Sequence, residues 1–294
     1  MTEISKLGKG NIISIQSSVS YGHAGNSSAV FPMQRLGFNV SPVYTVLFSN
    51  HTGYGKWGGS IVDTDVVKSV IDGMDERGVF PITDAIVSGY MGATALGDII
   101  LDTVGKVKQK NPNALYVCDP VFGDVGRGVF VNPELPEYFR DKVLPNCNIC
   151  TPNMFELEWL TDTKIKTIDD AINSAKMLLN ENCRVVLLTS LEHEKTNSNK
   201  IEMLAVCENE TYHIETNKID MPALPSGSGD ATTALFTCHY LETNGDIKTS
   251  LEKTASGIYE IFNATAKAGT WELQIVASGD KLVNPDHTFV ATKI

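Results

Sequence analysis

Residues 84–120 read DAIVSGYMGATALGDIILDTVGKVKQKNPNALYVCDP. Two short apolar runs, DAIVSGY at 84–90 and ALYVCDP at 114–120, bracket ALGDIILDTVGKVKQK, whose apolar residues recur three and four positions apart. The first pattern is that of a strand covered on both faces, because a half-exposed strand would alternate with polar residues. The second is that of an amphipathic helix. A helix between two buried strands is the crossover that parallel pairing requires. This segment therefore reads as a β-α-β unit of an α/β fold.

The same texture extends outward. NIISIQ (11–16), PVYTVLF (42–48), NICTP (148–152) and RVVLLTS (184–190) are further candidate strands, and DTDVVKSVIDGMDERG (63–78) and IDDAINSAKMLLN (168–180) further crossover helices. After RVVLLTS the polar loop HEKTNSNK gives way to IEMLAVC and ETYHIET, a hairpin around Glu208 to Glu210 that predicts an antiparallel edge. Two helices follow, ATTALFTCHYLETNG and IKTSLEKTASGIYEIFNATAKAG, with Gly245 and Gly269 as stop signals. A length of 294 residues suits one or two domains. With no repeat and no Pro-rich linker, residues 1–294 are expected to form a single domain.

A hydrophobic fraction of 42% with 20% charged residues is ordinary globular composition. The formal net charge of -11 argues against a nucleic-acid partner, since it gives no general attraction to phosphodiesters. The N-terminal MTEISKLGKGNIISIQ has no long apolar core, and no stretch approaches a membrane span, so a cytoplasmic protein without membrane contact is expected. Cys147 and Cys150 form a lone CxxC without a second pair or nearby histidines, which favours a structural role over zinc.

Open parallel sheets bind ligands at the carboxyl ends of their strands. The residues there are Ser17, the SNHTGYGKW loop, Tyr90, Asp119, Asp124, Asn153, Glu156 and Thr189. Asp119, Asp124, Asn153 and Glu156 offer hard oxygens, directly or through water, to a magnesium ion that also holds nucleotide phosphates. Asn153 and Glu156 equally have the spacing of a helix capping box. GYGKWG, Gly53 to Gly58, matches GxGxxG, but four residues separate it from the preceding strand and SIVDTDVVKSVIDGM after it reads as helix, so dinucleotide binding is disfavoured. No P-loop and no HExxH is present.

PALPSGSGDATTALF, residues 222–236, combines a Gly-rich turn with the start of a helix. Such a turn presents backbone N–H groups and a positive dipole end to an anion. A phosphoryl group on the N–H groups of Gly227, Ser228 and Gly229 would lie next to Asp230, suited to deprotonating an attacking hydroxyl. The structural alternative is Asp230 as N-cap of a helix beginning at Ala231. The turn holds no lysine, so neutralisation would fall to the metal and the helix end.

QSSVSYGHAGNSSAVFPMQRLGFNV, FSNHTGYGKW, VSGY, VCDPVFGD, TPNMFELEWL, SGSGDATTALF and WELQIVAS together resemble the ribokinase-like kinases, and within them the pyridoxal kinases. The resemblance spans nearly the whole chain. It implies a three-layer ribokinase-like fold, ATP-dependent phosphorylation of the 5'-hydroxymethyl group of pyridoxal and its relatives, Mg²⁺ and K⁺ as cofactors, and a homodimer. It implies Asp230 as base, Gly227, Ser228 and Gly229 as anion hole, and Asp119, Asp124, Thr151, Asn153 and Glu156 on the nucleotide side, Asp119 and Glu156 reaching the metal partly through water. Thr189, Ser190 and the segment Thr216, Asn217, Lys218 and Ile219 would contact the nucleotide. Ser17 and Thr52 would bond the ring's polar atoms, with Val46, Phe48, His51, Trp57 and Tyr90 forming the ring pocket.

Two positions depart from the family pattern. The turn reads Gly-Ser-Gly-Asp where many relatives have Gly-Thr-Gly-Asp, and Thr189 stands where some bacterial members carry Lys. The segments Ser20 to His23 and Val125 to Val131 resemble flaps over the two substrates. The alternatives are a hydroxymethylpyrimidine kinase and a vitamer-binding protein without catalysis.

Overall fold

A computed structural model describes residues 8–221, 223 and 225–294. Residues 1–7, the start of MTEISKLGKGNIISIQ, and Pro222 and Leu224, at the start of the Gly-rich stretch, lie outside the described residues. The chain runs β1 (Asn11–Tyr21), α1 (Asn26–Arg35), β2 (Asn39–Asn50), β3 (Gly59–Ile61), α2 (Thr64–Glu76), β4 (Ala85–Ser88), α3 (Thr94–Lys110) and β5 (Leu115–Cys118). A small ribbon follows, β6 (Gly123–Asp124) and β7 (Gly128–Val129), then α4 (Leu135–Tyr138), β8 (Ile149–Cys150), α5 (Met154–Thr161), α6 (Ile168–Leu178) and β9 (Val185–Leu191). The remainder is β10 (Lys200–Val206), β11 (Thr211–Asn217), α7 (Ser228–Glu242), α8 (Ile247–Lys267), α9 (Gly279–Val283) and β12 (Thr292–Lys293).

Among the described residues the main sheet has the order β12-β11-β10-β9-β8-β5-β4-β1-β2-β3. The strands from β9 to β2 pair in parallel, while β10, β11 and β12 on one side and β3 on the other are antiparallel. The expected β-α-β unit and hairpin are both present. One expectation is corrected: SIV after GYGKWG is not helical, because Gly59–Ile61 forms the edge strand β3 against Val46 to Phe48, and the helix begins only at Thr64. Asp63 caps that helix, its Oδ1 accepting the Asp65 N–H at 2.8 Å.

Apolar side chains alternate to the two faces of the sheet, giving two cores. One face packs Val67 and Ile71 of α2, Ile100 and Val104 of α3, and Ala171 and Ala175 of α6. The other packs Met33 of α1, Leu235 and Phe236 of α7, and Leu251 and Ile261 of α8. Cys147 and Cys150 are fully buried in the first core, where small apolar side chains fit between strands.

Chain order reverses between β1 and its neighbours: β2 lies on one side of β1 and β4 on the other. This is the topological switch point of an open α/β sheet, where a crevice opens beyond the strand ends. The β1–β2 register also slips there, Gln16 facing Tyr44 but Ser18 facing Leu47. The extra residue lies in β2, where Thr45 and Val46 together face Ser17, so β2 bends beside Ser17, which borders the crevice.

Candidate active site

A cavity of about 350 Å³ occupies the carboxyl ends of β1, β4, β5, β8 and β9 and reaches the N-terminus of α7. The strands deliver Ser17, Tyr90, Asp119, Thr151, Thr189 and Ser190 to its wall. The end of β2 and the residues after it supply Phe48, His51 and Thr52 at one end, and β6 and the start of α5 supply Asp124, Asn153 and Glu156 at the other. The Gly227-Ser228-Gly229-Asp230 turn lies along the same cavity. Sixteen of the residues expected from the sequence are thus assembled around one space.

Gly227 adopts φ 84°, in the left-handed region, and an added Cβ would fall 2.2 Å from the His23 carbonyl oxygen. Only glycine meets both conditions. Ser28 Oγ donates to the Gly227 carbonyl at 2.7 Å, and the Ala231 N–H begins the helical ladder on that same carbonyl at 3.0 Å. The helix therefore starts at Ser228, and its first-turn N–H groups precede the ladder. Asp230 does not take the N-cap position that the structural alternative gave it: Gly227 takes it, and Asp230 sits within the first turn. Its Oδ2 instead accepts the Gly25 N–H at 2.8 Å, while Oδ1 is buried without a hydrogen-bond partner.

Across the turn lies Asp119, close enough that a Cβ on Gly229 would be 3.6 Å from its Oδ2. That oxygen is also buried and without a partner. Burial, with the neighbouring Glu156 and Asp230 carboxylates, pushes the Asp119 carboxyl well above its ordinary range. Burial raises Asp230 too, the Gly25 N–H acting in the opposite direction. Glu156 is pushed up to about 8 by burial, against the effect of its hydrogen bonds from the Asn153, Phe122 and Gly123 N–H groups. Asn153 Oδ1 accepts the Glu156 N–H and Glu156 Oε2 accepts the Asn153 N–H, both at 2.9 Å, so the expected capping box opens α5. Asn153 Nδ2 also donates to the Gly123 carbonyl at 2.9 Å, fixing the loop that carries Asp124.

This donor set fits a divalent hard cation. Buried carboxylates with unsatisfied oxygens are each disfavoured as anions, and a Mg²⁺ ion would relieve that cost while keeping waters of its own. Asp119 and, through water, Glu156 and Asp124 are the residues suited to hold it.

The other end of the cavity is aromatic. Phe48 and Trp57 rings lie 5.8 Å apart, and His51 sits 4.7 Å from Tyr54 and 5.3 Å from Trp271. His51 Nε2 is 2.9 Å from Glu272 Oε1, which also accepts the Tyr54 hydroxyl at 2.6 Å. Glu272 and Trp271 were not assigned a role from the sequence. WELQIVAS carried the signal as a family segment, but contact with a loop over two hundred residues away is visible only in the fold.

Several expected residues lie outside the cavity wall. Val46 is fully buried within β2, and Trp57 is half exposed on the loop beyond Phe48. Thr216 and Asn217 end β11 on the antiparallel side of the sheet, where Asn217 accepts from Lys200 Nζ at 2.8 Å. Lys218 pairs with Glu192 at 2.6 Å, and Ile219 follows it.

Comparison with known proteins bears on this arrangement. A family model described as phosphomethylpyrimidine kinase matches residues 60–275. Pyridoxal kinase PdxY of Granulibacter bethesdensis is 48% identical over 285 residues, covering 96% of this chain and 99% of that one. Pyridoxal kinase PdxY of Deinococcus radiodurans is 44% identical over 288 residues, covering 97% of this chain and 96% of that one. The solved pyridoxal kinase from Leishmania donovani, in complex with ADP and pyridoxamine, has a TM-score of 0.89 at 24% identity, with 97% of this chain and 99% of that one covered. The fold is thus the ribokinase-like one. Within that class, the chain belongs to the pyridoxal kinase family.

Proposed function

We propose that this chain is a pyridoxal kinase, transferring the γ-phosphoryl group of ATP to the 5'-hydroxymethyl group of pyridoxal. The products are pyridoxal 5'-phosphate and ADP, and the proposal extends to pyridoxine and pyridoxamine within vitamin B6 salvage. The observation that carries it is a single cavity holding an aromatic end, a carboxylate end and, between them, the anion-binding turn beside Asp230.

The pyridine ring would lie against Phe48, His51 and Tyr90, with Ser17 and Thr52 bonding its polar atoms. Its hydroxymethyl group would then face Asp230. Burial keeps that carboxyl's proton affinity above the ordinary value, which makes it a stronger base. In the transfer, Asp230 accepts the hydroxyl proton, the alkoxide oxygen bonds phosphorus, and the bond to the ADP oxygen breaks. The N–H groups of Gly227, Ser228 and Gly229 would stabilise the charge on the moving phosphoryl oxygens. Thr151, Asn153, Thr189 and Ser190, together with residues 216–219, would hold the nucleotide. Mg²⁺ would neutralise phosphate charge when bound at Asp119 and Glu156.

K⁺ enters this reading from the family resemblance. A homodimer is favoured by exposed Tyr44, Leu47 and Ile61 on β2 and β3, apolar surface that a second copy would cover. One sheet running through the chain favours a single domain. Among the described residues no helix is long and apolar enough to cross a membrane, and a cytoplasmic location is part of the proposal. The test is a coupled ADP-release assay with ATP and Mg²⁺, offering pyridoxal and hydroxymethylpyrimidine in turn. Faster turnover of pyridoxal supports the reading; a preference for the pyrimidine, or no turnover, overturns it.

A further inference from the structure

Glu272 is nearly buried, and its carboxylate collects donors from two other segments of the chain. Oε1 receives His51 Nε2 at 2.9 Å and the Tyr54 hydroxyl at 2.6 Å, and Oε2 receives the His23 N–H at 3.2 Å. Trp271 Nε1 donates in turn to the Tyr54 hydroxyl at 3.0 Å. A carboxylate only accepts, so the bonded His51 Nε2 must carry a proton. That leaves Nδ1 facing Ser226 Oγ at 3.2 Å, and Ser226 immediately precedes Gly227 of the anion-binding turn.

Resting on the pyridoxal kinase reading, we propose that Glu272 is the positioning residue of the acceptor-substrate pocket. It fixes the His51 imidazole in the Nε2–H form and ties the loop at residues 51–54 and the segment around His23 to the C-terminal part of the chain. His51 Nδ1 is thereby held as an acceptor for the Ser226 hydroxyl, which links the ring pocket to the start of the turn. Glu272 itself is not on the cavity wall, whereas His51 and Ser226 are. Partners that orient a functional imidazole through its second nitrogen typically contribute about 10- to 100-fold to site function, as measured for metal-bound histidines.

The variant Glu272→Met keeps the side-chain length but removes both acceptor oxygens, leaving nothing in place to accept the His51 Nε2–H. The expected result is a rise of roughly 10- to 100-fold in KM for pyridoxal, by analogy with such orienting partners, with KM for ATP unchanged. In parallel, the ¹⁵N spectrum of the labelled protein should show His51 as Nε2–H in wild type and lose that state in the variant. Tyr54→Phe, which removes one donor to the carboxylate outside the cavity wall, should shift the pyridoxal KM in the same direction by less, and it decides the matter if Glu272→Met does not fold. An unchanged His51 spectrum, or equal changes in both KM values, would overturn the proposal. If wild type turns over no pyridoxal, the functional reading fails, while the His51 spectrum still decides the role of Glu272.

Discussion

Replacing Asp119 by Asn should stabilise the metal-free protein at pH 8 while removing its ability to use Mg²⁺. The reason lies in the carboxylates that fold together around the α7 turn. In the unfolded chain Glu156 loses its proton near 4.5, but in the folded chain burial holds it up to about 8. The unfolded state therefore releases its proton first. The stability tied to this group is fully present below pH 4.5 and is lost progressively as pH rises to about 8. At ~1.4 kcal/mol per pH unit, the loss from Glu156 alone is at most ~5 kcal/mol. An unfolding entropy of ~2.1 cal/mol/K per residue makes that a fall of up to ~8 °C in Tm for this chain. Asp119 titrates in the same sense, raised by burial and by Glu156 and Asp230, so its neutral replacement should flatten the fall. Differential scanning calorimetry in EDTA between pH 5 and 9 reads this directly. Wild type should lose Tm with rising pH and regain it on adding Mg²⁺; Asp119→Asn should lose less and respond weakly to Mg²⁺. Equal slopes for the two proteins, or a lower Tm for Asp119→Asn at pH 8, would refute the reasoning.

Gly25→Ala should damage catalysis through the backbone. Gly25 has φ 56° and a Cβ there would fall 2.2 Å from the Ser17 carbonyl oxygen, so the chain must move the N–H that holds Asp230. A loss of about 1–3 kcal/mol in stability is expected, and a fall of roughly 10²-fold in kcat follows from misplacing a reacting group; melting and steady-state assays check both. Val46→Ala should behave as a packing defect, costing about 1–3 kcal/mol with the pyridoxal KM held within about twofold. A KM increase above roughly tenfold would instead return Val46 to the ring pocket as a contact made on binding.

The fold was legible where local pattern and final environment agree. Buried strands such as Ala85–Ser88 and Leu115–Cys118 are continuous apolar runs, and α3 between them keeps its helical spacing from Thr94 to Lys110. The short edge strand β3 was hidden, because three residues beside a strong helical pattern have no periodicity of their own. The helix α1 was also silent: Ser27, Ser28 and Pro32 weaken its local propensity, and its packing against α7 holds it. Asp230 was legible as a candidate beside the Gly-rich turn but not in its position. The left-handed Gly227 starts the helix early, and its partner Gly25 lies over two hundred residues away. Glu272 illustrates the same limit, since a carboxylate that joins distant loops leaves no spacing signal in the sequence.

The central claim is that Asp230 takes the proton from the substrate hydroxyl beside the α7 turn. Asp230→Asn tests it most directly, because an Asn carbonyl oxygen can still accept the Gly25 N–H at the position that Oδ2 now holds. The measurement is kcat for pyridoxal at saturating ATP and Mg²⁺, with Tm recorded on the same preparation. A fall of roughly 10²- to 10⁴-fold with Tm preserved is the result this account predicts. A kcat near that of wild type in a folded Asp230→Asn protein would contradict it.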